Sequence, residues 1–391
     1  MFFKYMTAGE SHGPGLTAVV DGVPAGLELG VAEINADLAR RQLGHGRGGR
    51  MKIEKDEARI TAGVRHGLTL GSPIALTIEN RDWKNWSGVM SVAADGATRS
   101  KKVSVPRPGH ADLAGAGKFG LDDMRSVLER ASARETAARV AVGAIARQLL
   151  SQFGVEVYSH VVQIGRVRAR KADTGTAGAF SGVDSSPVRC LDERAARDMK
   201  REIDGARKEG ESVGGVFEVV VLGLEPGIGS YTSGPGRLGG RIGGALMSIP
   251  AIKGAEIGEG FRLAGKSGSK VHDEIFFSGE KGYHRRTNRA GGLEGGMTNG
   301  EPLVARACMK PIPTMTRPLR SVDAVSGKPA PAHKERSDVC AVPAAAVVGE
   351  AMVAIEVARA MMEKFGGDFL GDMLSAHQRY VERVRSSWPA G

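Results

Sequence analysis

Two histidines in this chain sit where proton transfer could be done. His12 lies in "TAGESHGPGL" between Gly9 and Gly13, with Ser11 beside it, and His110 lies in "RPGHADL" beside Gly109. An imidazole titrates near pH 6.5, so it can give or take a proton at neutral pH. The glycines give the backbone the latitude to bring such a ring against a ligand. A loop histidine can equally be a solvated side chain, and nothing within either loop decides. A second set of residues suits anions. "RRQLGHGRGGR" holds Arg40, Arg41, Arg47 and Arg50 among glycines, and Arg107, Arg130, Arg134 and Arg336 also lie in loops or at helix starts. Arginine binds carboxylate and phosphate through a planar, permanently charged fork. The alternatives are a solvated basic turn at residues 40–50 and, for Arg130 and Arg134, ion pairs with the neighbouring Glu129 and Glu135. "MKPIPTM" and "HKERSDVC" add a cation at Lys310, a hydroxyl at Thr314 and a carboxylate at Asp338, on segments that prolines stiffen.

These residues need elements to hold them. Met1–Met6 and "LTAVVDGVPAG" read as strands flanking the His12 loop. Val31–Gly44 has helical spacing that stops at a glycine. "ARITAGVRHGLTLGSPIALTIEN" reads as two strands around a glycine turn, and residues 80–121 read as mostly irregular. "SARE" at Ser132–Glu135 has the form of a capping box before the Ala/Val-rich run Ala133–Phe153. Continuous helix through Arg130 and Arg134 would place both on one face. A second helix of similar character follows Pro343. Two such helices, each preceded by an arginine-bearing segment, raise the possibility of an internal duplication. A charged helix over "DERAARDMKREIDGARKEG" and a strand at "GGVFEVVVLGL" lie between them. No linker divides the 391 residues, so a single domain over 1–391 is expected, with a polar tail over 366–391 that frays.

Composition narrows the class. The chain is 41% apolar and 25% charged, with a formal charge of +10 that suits an anionic partner. A basic RNA-binding protein is the rival to an enzyme of anionic substrates, but only 5% of residues are aromatic and no RNA-recognition motif is present. The three cysteines lack metal spacing, which fits a reduced cytoplasmic setting and no metal. Neither a secretory signal nor a membrane-spanning run is visible. Phosphate-loop, nucleophile-elbow and dinucleotide-binding patterns are all missing.

Taken in order, "GESHG", "DGVPAG", "RRQLGHGRGGRMKIEKD", "GSPIALTIENRDW", "RPGHADL", "ERASARETAARVAVGAIA", "EIGEGF", "AGGLEGGMTNGEPL", "KPIPTM" and "RSDVCAVPAA" strongly resemble the chorismate synthase family, from about Met6 to about Gly366. The resemblance implies an α+β fold, a β-α-β sandwich with internal pseudo-two-fold symmetry, assembled as a homotetramer. It implies a lyase of the shikimate pathway, in aromatic amino acid biosynthesis, that eliminates phosphate from 5-enolpyruvylshikimate 3-phosphate in a 1,4-anti sense to give chorismate. Reduced FMN is required without net redox change, and NADPH serves only as an indirect source of electrons. With no appended domain visible, a separate flavin reductase is favoured.

The resemblance also assigns residues. Ser11, Arg41, Arg47, Arg50, Arg107 and Arg134 fall on the substrate side. Arg130, Ala131, Ser132, Pro250, Ala251, Gly295, Lys310, Pro311, Ile312, Pro313, Thr314 and Arg336 fall on the flavin side. His110 matches the proton donor to the leaving phosphate, His12 the histidine that manages flavin protonation, and Asp338 the carboxylate that assists loss of the C6 hydrogen. Pro250 departs from the amide-bearing residue expected there, so only a main-chain contact could survive at that position.

Overall fold

The structure, a computed structural model, describes residues 3–49, 53–94, 97–98, 100–280, 282–335 and 337–386. Arg50 and Arg336 lie outside them.

Two antiparallel sheets are built from separate stretches of the chain. The first has strands β1 (Lys4–Ala8), β2 (Gly15–Asp21), β3 (Ala58–Ala62) and β4 (Ile74–Glu79) in the order β1-β2-β4-β3. The second has β5 (Glu156–Ile164), β6 (Val167–Arg168), β7 (Gly215–Leu222), β8 (Ile252–Ile257) and β9 (Leu303–Met309) in the order β8-β9-β7-β5-β6. Strand β2 alternates buried Leu16, Ala18 and Val20 with outward Thr17, Val19 and Asp21, as a strand with one covered face should. The small hairpin between Val64–Arg65 and Leu68–Thr69 fills the turn between β3 and β4.

Helices α1 (Val31–Gln42), α2 (Asp112–Phe119), α3 (Arg125–Ala131), α4 (Thr136–Ser151), α5 (Glu193–Glu209), α6 (Leu238–Met247), α7 (Val342–Phe365) and α8 (Leu370–Ser386) complete the fold. Helix α7 is buried at 21 of its 24 positions, which is why it carries almost no polar face. It packs along α4 and against β5 and β7, while α4 rests on β2 and β4. Small residues let the two helices touch: a Cβ on Gly143 would collide with Ala351. The charged helix read from residues 192–210 is α5, capped by Asp192, whose carboxylate accepts from the Ala195 N–H, and stopped by Gly210 in the left-handed region.

The described residues within 80–121 are mostly irregular, as expected, apart from a 3-10 turn at Arg81–Asn85 and α2 at Asp112–Phe119. Three expectations are corrected. The helix through residues 130–134 is broken at Ser132 (φ −64°, ψ 143°), so Arg130 and Arg134 point apart. Ser132 accepts from the Arg134 N–H, and Glu135 turns to Arg139 and Thr7, so no reciprocal capping box forms. The segment beyond Gly366 forms α8, docked by buried Leu370 and Met373 and by the Tyr380 hydroxyl donating to the Pro226 carbonyl (2.7 Å). Among the described residues no helix is long and apolar enough to cross a membrane.

Candidate active site

The loops at one end of the α4–α7 pair enclose a cavity of about 400 Å³, within the range of small-molecule sites. Ser11 and His12 enter it from the β1–β2 loop. Gly9 there has φ +110°, and any Cβ on it would strike Gly15 and Leu16, so the turn requires glycine. The loop is tied down from outside. The Ser11 N–H donates to the Glu129 carbonyl (3.0 Å), the His12 N–H to Glu129 Oε2 (2.7 Å), and the Asn80 amide to the Gly13 carbonyl (2.8 Å). His12 Nδ1 lies 2.9 Å from Glu129 Oε1, and its ring stacks on Trp86 at 3.8 Å between centroids.

His110 comes from the turn that begins α2. Its Nδ1 lies 2.6 Å from Oδ1 of Asp112, a carboxylate with no exposure. Arg107 grips the same group, its Nε 2.8 Å from Oδ2 and its Nη2 3.0 Å from Oδ1, while Nη1 reaches the Thr314 hydroxyl at 3.0 Å. Burial would raise the Asp112 carboxyl, but hydrogen bonds from His110 and Arg107 outweigh it and hold the carboxyl well below its usual range. Arg107 Nη2 also lies 3.0 Å from Nδ1 and 3.3 Å from Nε2 of His110, so the ring sits between the Asp112 carboxylate and the Arg107 guanidinium.

The arginines reach the cavity from three segments. Arg41, on the last turn of α1, donates to Thr136 Oγ1 (3.0 Å), the Ala133 carbonyl (2.9 Å) and Asp56 (3.2 Å). Arg134 shares Asp56 and also donates to Asn80 Oδ1 (2.7 Å). Burial, opposed by Asp56 and reinforced by Arg134 and Arg47, pulls the Arg41 guanidinium down to about 10. It remains charged at neutral pH in a place where a ligand anion would be welcome. Arg47 pairs with Asp338 at 2.8 Å, and the Gly48 N–H donates to the same carboxylate (2.7 Å).

The opposite wall is apolar. Ile249, Ala251, Met309, Ile312 and Pro313 face Ala341, Ala344, Ala345 and Val348 of the α7 start, where small side chains leave room for a flat group. Ala251 has φ +67°, unusual for any residue but glycine, and its carbonyl accepts from the Lys310 N–H (3.0 Å). Lys310 Nζ donates to the Gly109 carbonyl and so joins the Pro311–Pro313 strip to the His110 loop.

The cavity therefore brings together Ser11, His12, Arg41, Arg47, Arg107, His110, Ala131, Ser132, Arg134, Pro250, Ala251, Lys310, Ile312, Pro313, Thr314 and Asp338. Arg130 stands outside it, donating to the Thr7 and Gly9 carbonyls (2.8 and 3.1 Å). Gly295 sits in the Leu293–Thr298 hairpin away from the lining, and Pro311 supports its lining neighbours. Sequence reasoning gave no role to Asp56 or Trp86, offered Glu129 only as an ion-pair partner of Arg130, and assigned Asp112 no partner; all four hold site residues in place, Glu129 against His12 rather than Arg130. Asp112, two residues after His110, had a local signal. The others are joined to their partners only by the fold. Among the described residues no cluster of metal-binding side chains occurs.

Basic side chains surround one apolar face of the cavity, as in an enzyme of small-molecule substrates. The family model for chorismate synthase matches residues 3–362. Chorismate synthases of Desulforudis audaxviator and Brevibacillus brevis are 56% and 54% identical, over 99% and 97% of this chain and the full length of each relative. A crystal structure of chorismate synthase superposes with a TM-score of 0.79 at 42% identity, covering 99% of both chains. The chain belongs to the chorismate synthase family.

Proposed function

We propose that the protein is a chorismate synthase, a lyase that removes phosphate from 5-enolpyruvylshikimate 3-phosphate by 1,4-anti elimination to give chorismate, the last step of the shikimate route towards aromatic amino acids. The observation that carries the reading is the convergence in one cavity of two histidines from separate loops, each facing a buried carboxylate at Nδ1, among Arg41, Arg47 and Arg107. The nucleic-acid-binding alternative finds no support in the family, the relatives or the solved neighbour.

The residues present fit reduced FMN. The small apolar wall at Ala341, Ala344, Ala345 and Val348 suits a flat ring system, with Ala131, Ser132, Pro250, Ala251, Lys310, Ile312, Pro313 and Thr314 around it. Arg336 would join this set by resemblance. Pro250 has no amide side chain to offer, so only main-chain atoms serve at that position. When bound, reduced FMN supplies electron density that eases carbon–oxygen cleavage and recovers it, without net redox change.

The chain's own groups do the rest. Arg41, Arg47 and Arg107 hold the substrate's carboxylates and phosphate, and Arg50 joins them by resemblance. Their guanidiniums, fixed before substrate arrives, stabilise charge without reorganising. His110 gives a proton to the departing phosphate oxygen, its ring held by the Asp112 carboxylate. Asp338 assists removal of the C6 hydrogen, and His12 exchanges a proton at Nε2. Substrate becomes chorismate and inorganic phosphate, with one C–O and one C–H bond broken and one C=C bond formed.

The same reading includes a β-α-β sandwich with pseudo-two-fold symmetry, supported by the packing of α4 and α7 on separate sheets. It also includes a cytoplasmic homotetramer served by a separate flavin reductase, with NADPH acting only indirectly; these rest on family resemblance. Anaerobic incubation with reduced FMN and substrate tests the function. Phosphate release with a changed bound-flavin spectrum is expected. Absence of phosphate release together with steeply salt-dependent RNA binding would overturn it.

A further inference from the structure

We propose that Glu129 is a positioning residue that fixes His12 as its Nδ1–H tautomer, making Nε2 the atom that exchanges protons with the cavity. The proposal rests on the reading of His12 given above.

The argument is one of donors and acceptors. Glu129 is 1% exposed and ends near the His12 ring and backbone at once. Oε2 lies 2.7 Å from the His12 backbone nitrogen, which can only donate. Oε1 and Oε2 lie 2.9 and 3.0 Å from Nδ1. Arg125 Nη1, 3.4 Å from Oε1, faces the same carboxylate as a further donor. A carboxylate held by donors on these sides has no hydrogen to give, so the ring hydrogen must sit on Nδ1. The ring is fixed in plane as well. Trp86 stacks on it at 20° between planes and carries Lys101 Nζ 3.4 Å from its own centroid. Glu129 also anchors the loop through its main chain, because its carbonyl accepts from the Ser11 N–H. That bond does not depend on the side chain, so the loop keeps an anchor when the side chain is changed.

Glu129→Gln is the discriminating substitution. The glutamine oxygen must serve the His12 N–H, which leaves its NH2 against Nδ1. That nitrogen must then accept, and the neutral ring hydrogen moves to Nε2. Arg125 keeps Glu335 at 2.6 Å, so the substitution does not strand it.

With nitrogen-15-labelled histidine, the wild-type His12 ring in the full-length protein should show the Nδ1–H pattern and E129Q the Nε2–H pattern. Turnover should fall about 10- to 100-fold in E129Q with KM within about twofold, and Glu129→Asp should recover part of the loss. An Nε2–H ring in the wild type, or an unchanged tautomer and unchanged turnover in E129Q, would overturn the proposal. If E129Q does not fold, the wild-type ring spectrum alone decides. His12→Ala, assayed alongside, separates the two readings: undiminished turnover there removes the role of His12 in the reaction, whereas the spectrum tests only what Glu129 does to the ring.

Discussion

Arg47 and Asp338, from opposite ends of the chain, form one ion pair at 2.8 Å in the wall of the cavity. The arginine assigned to substrate and the carboxylate assigned to the C6 hydrogen thus share an interaction before any ligand arrives. On the proposed reading, substrate anions and Asp338 would compete for the same guanidinium. Arg47→Ala and Asp338→Asn should each lower kcat/KM by about 100-fold. The double variant should fall short of the product of the two, with a coupling of about 1–3 kcal/mol. Strict additivity in a double-mutant cycle would show that the pair does not act as a unit.

His110→Ala should lower kcat by about 100- to 10,000-fold with little change in KM, because a proton given to the leaving group matters only as the bond breaks. Asp112→Asn should reproduce part of that loss while His110 stays in place. Steady-state kinetics with the reduced cofactor in excess measures both. Unchanged turnover in His110→Ala would remove its donor role.

Arg134 is expected to behave as part of the scaffold as much as of the binding wall. It is 5% exposed and spans Asp56, Asn80 and the Glu79 carbonyl. Removing it leaves Asp56, buried, with Arg41 as its ion-pair partner. Arg134→Ala also strips buried Asn80 Oδ1 of its donor and should cost about 1–3 kcal/mol of stability, seen as a lowered melting temperature of the free protein. A normal melting temperature with weakened substrate binding would make Arg134 a binding residue alone.

Acid should loosen the molecule at a defined place. Burial would raise the Glu350 carboxyl, but Arg40, Arg147 and Arg189 hold it down at about 2, against about 4.3 in an unfolded chain. The folded value is the lower one. Its stabilisation is therefore complete above about pH 4.3 and is lost as pH falls from there towards 2. Thermal melts across this window should show the loss. Glu350→Gln should melt lower at pH 7, because three arginines lose their shared partner, and should show a shallower decline in acid. An equally steep acid decline in the variant would place the effect elsewhere.

The two central helices were legible in the sequence because Ala/Val-rich runs stopped by glycine suit buried helices on any side. The arginine and histidine loops were legible as well, through residue type and through family resemblance. What held them was not. Asp56 and Glu129 appear in the sequence as ordinary charges, and only the fold shows that each is buried against a site residue. Residues 100–131 were harder still. Helices α2 and α3 are short, and tertiary bonds such as the Val103 N–H to Asp123 decide their ends. Helix α8 presents too few apolar residues to announce that Leu370 and Met373 dock.

The most direct test counts products against cofactor in one anaerobic turnover experiment. With reduced FMN and 5-enolpyruvylshikimate 3-phosphate, chorismate and phosphate should form in equal amounts while the flavin ends reduced. Absence of chorismate, or flavin oxidised in proportion to product, would contradict the account.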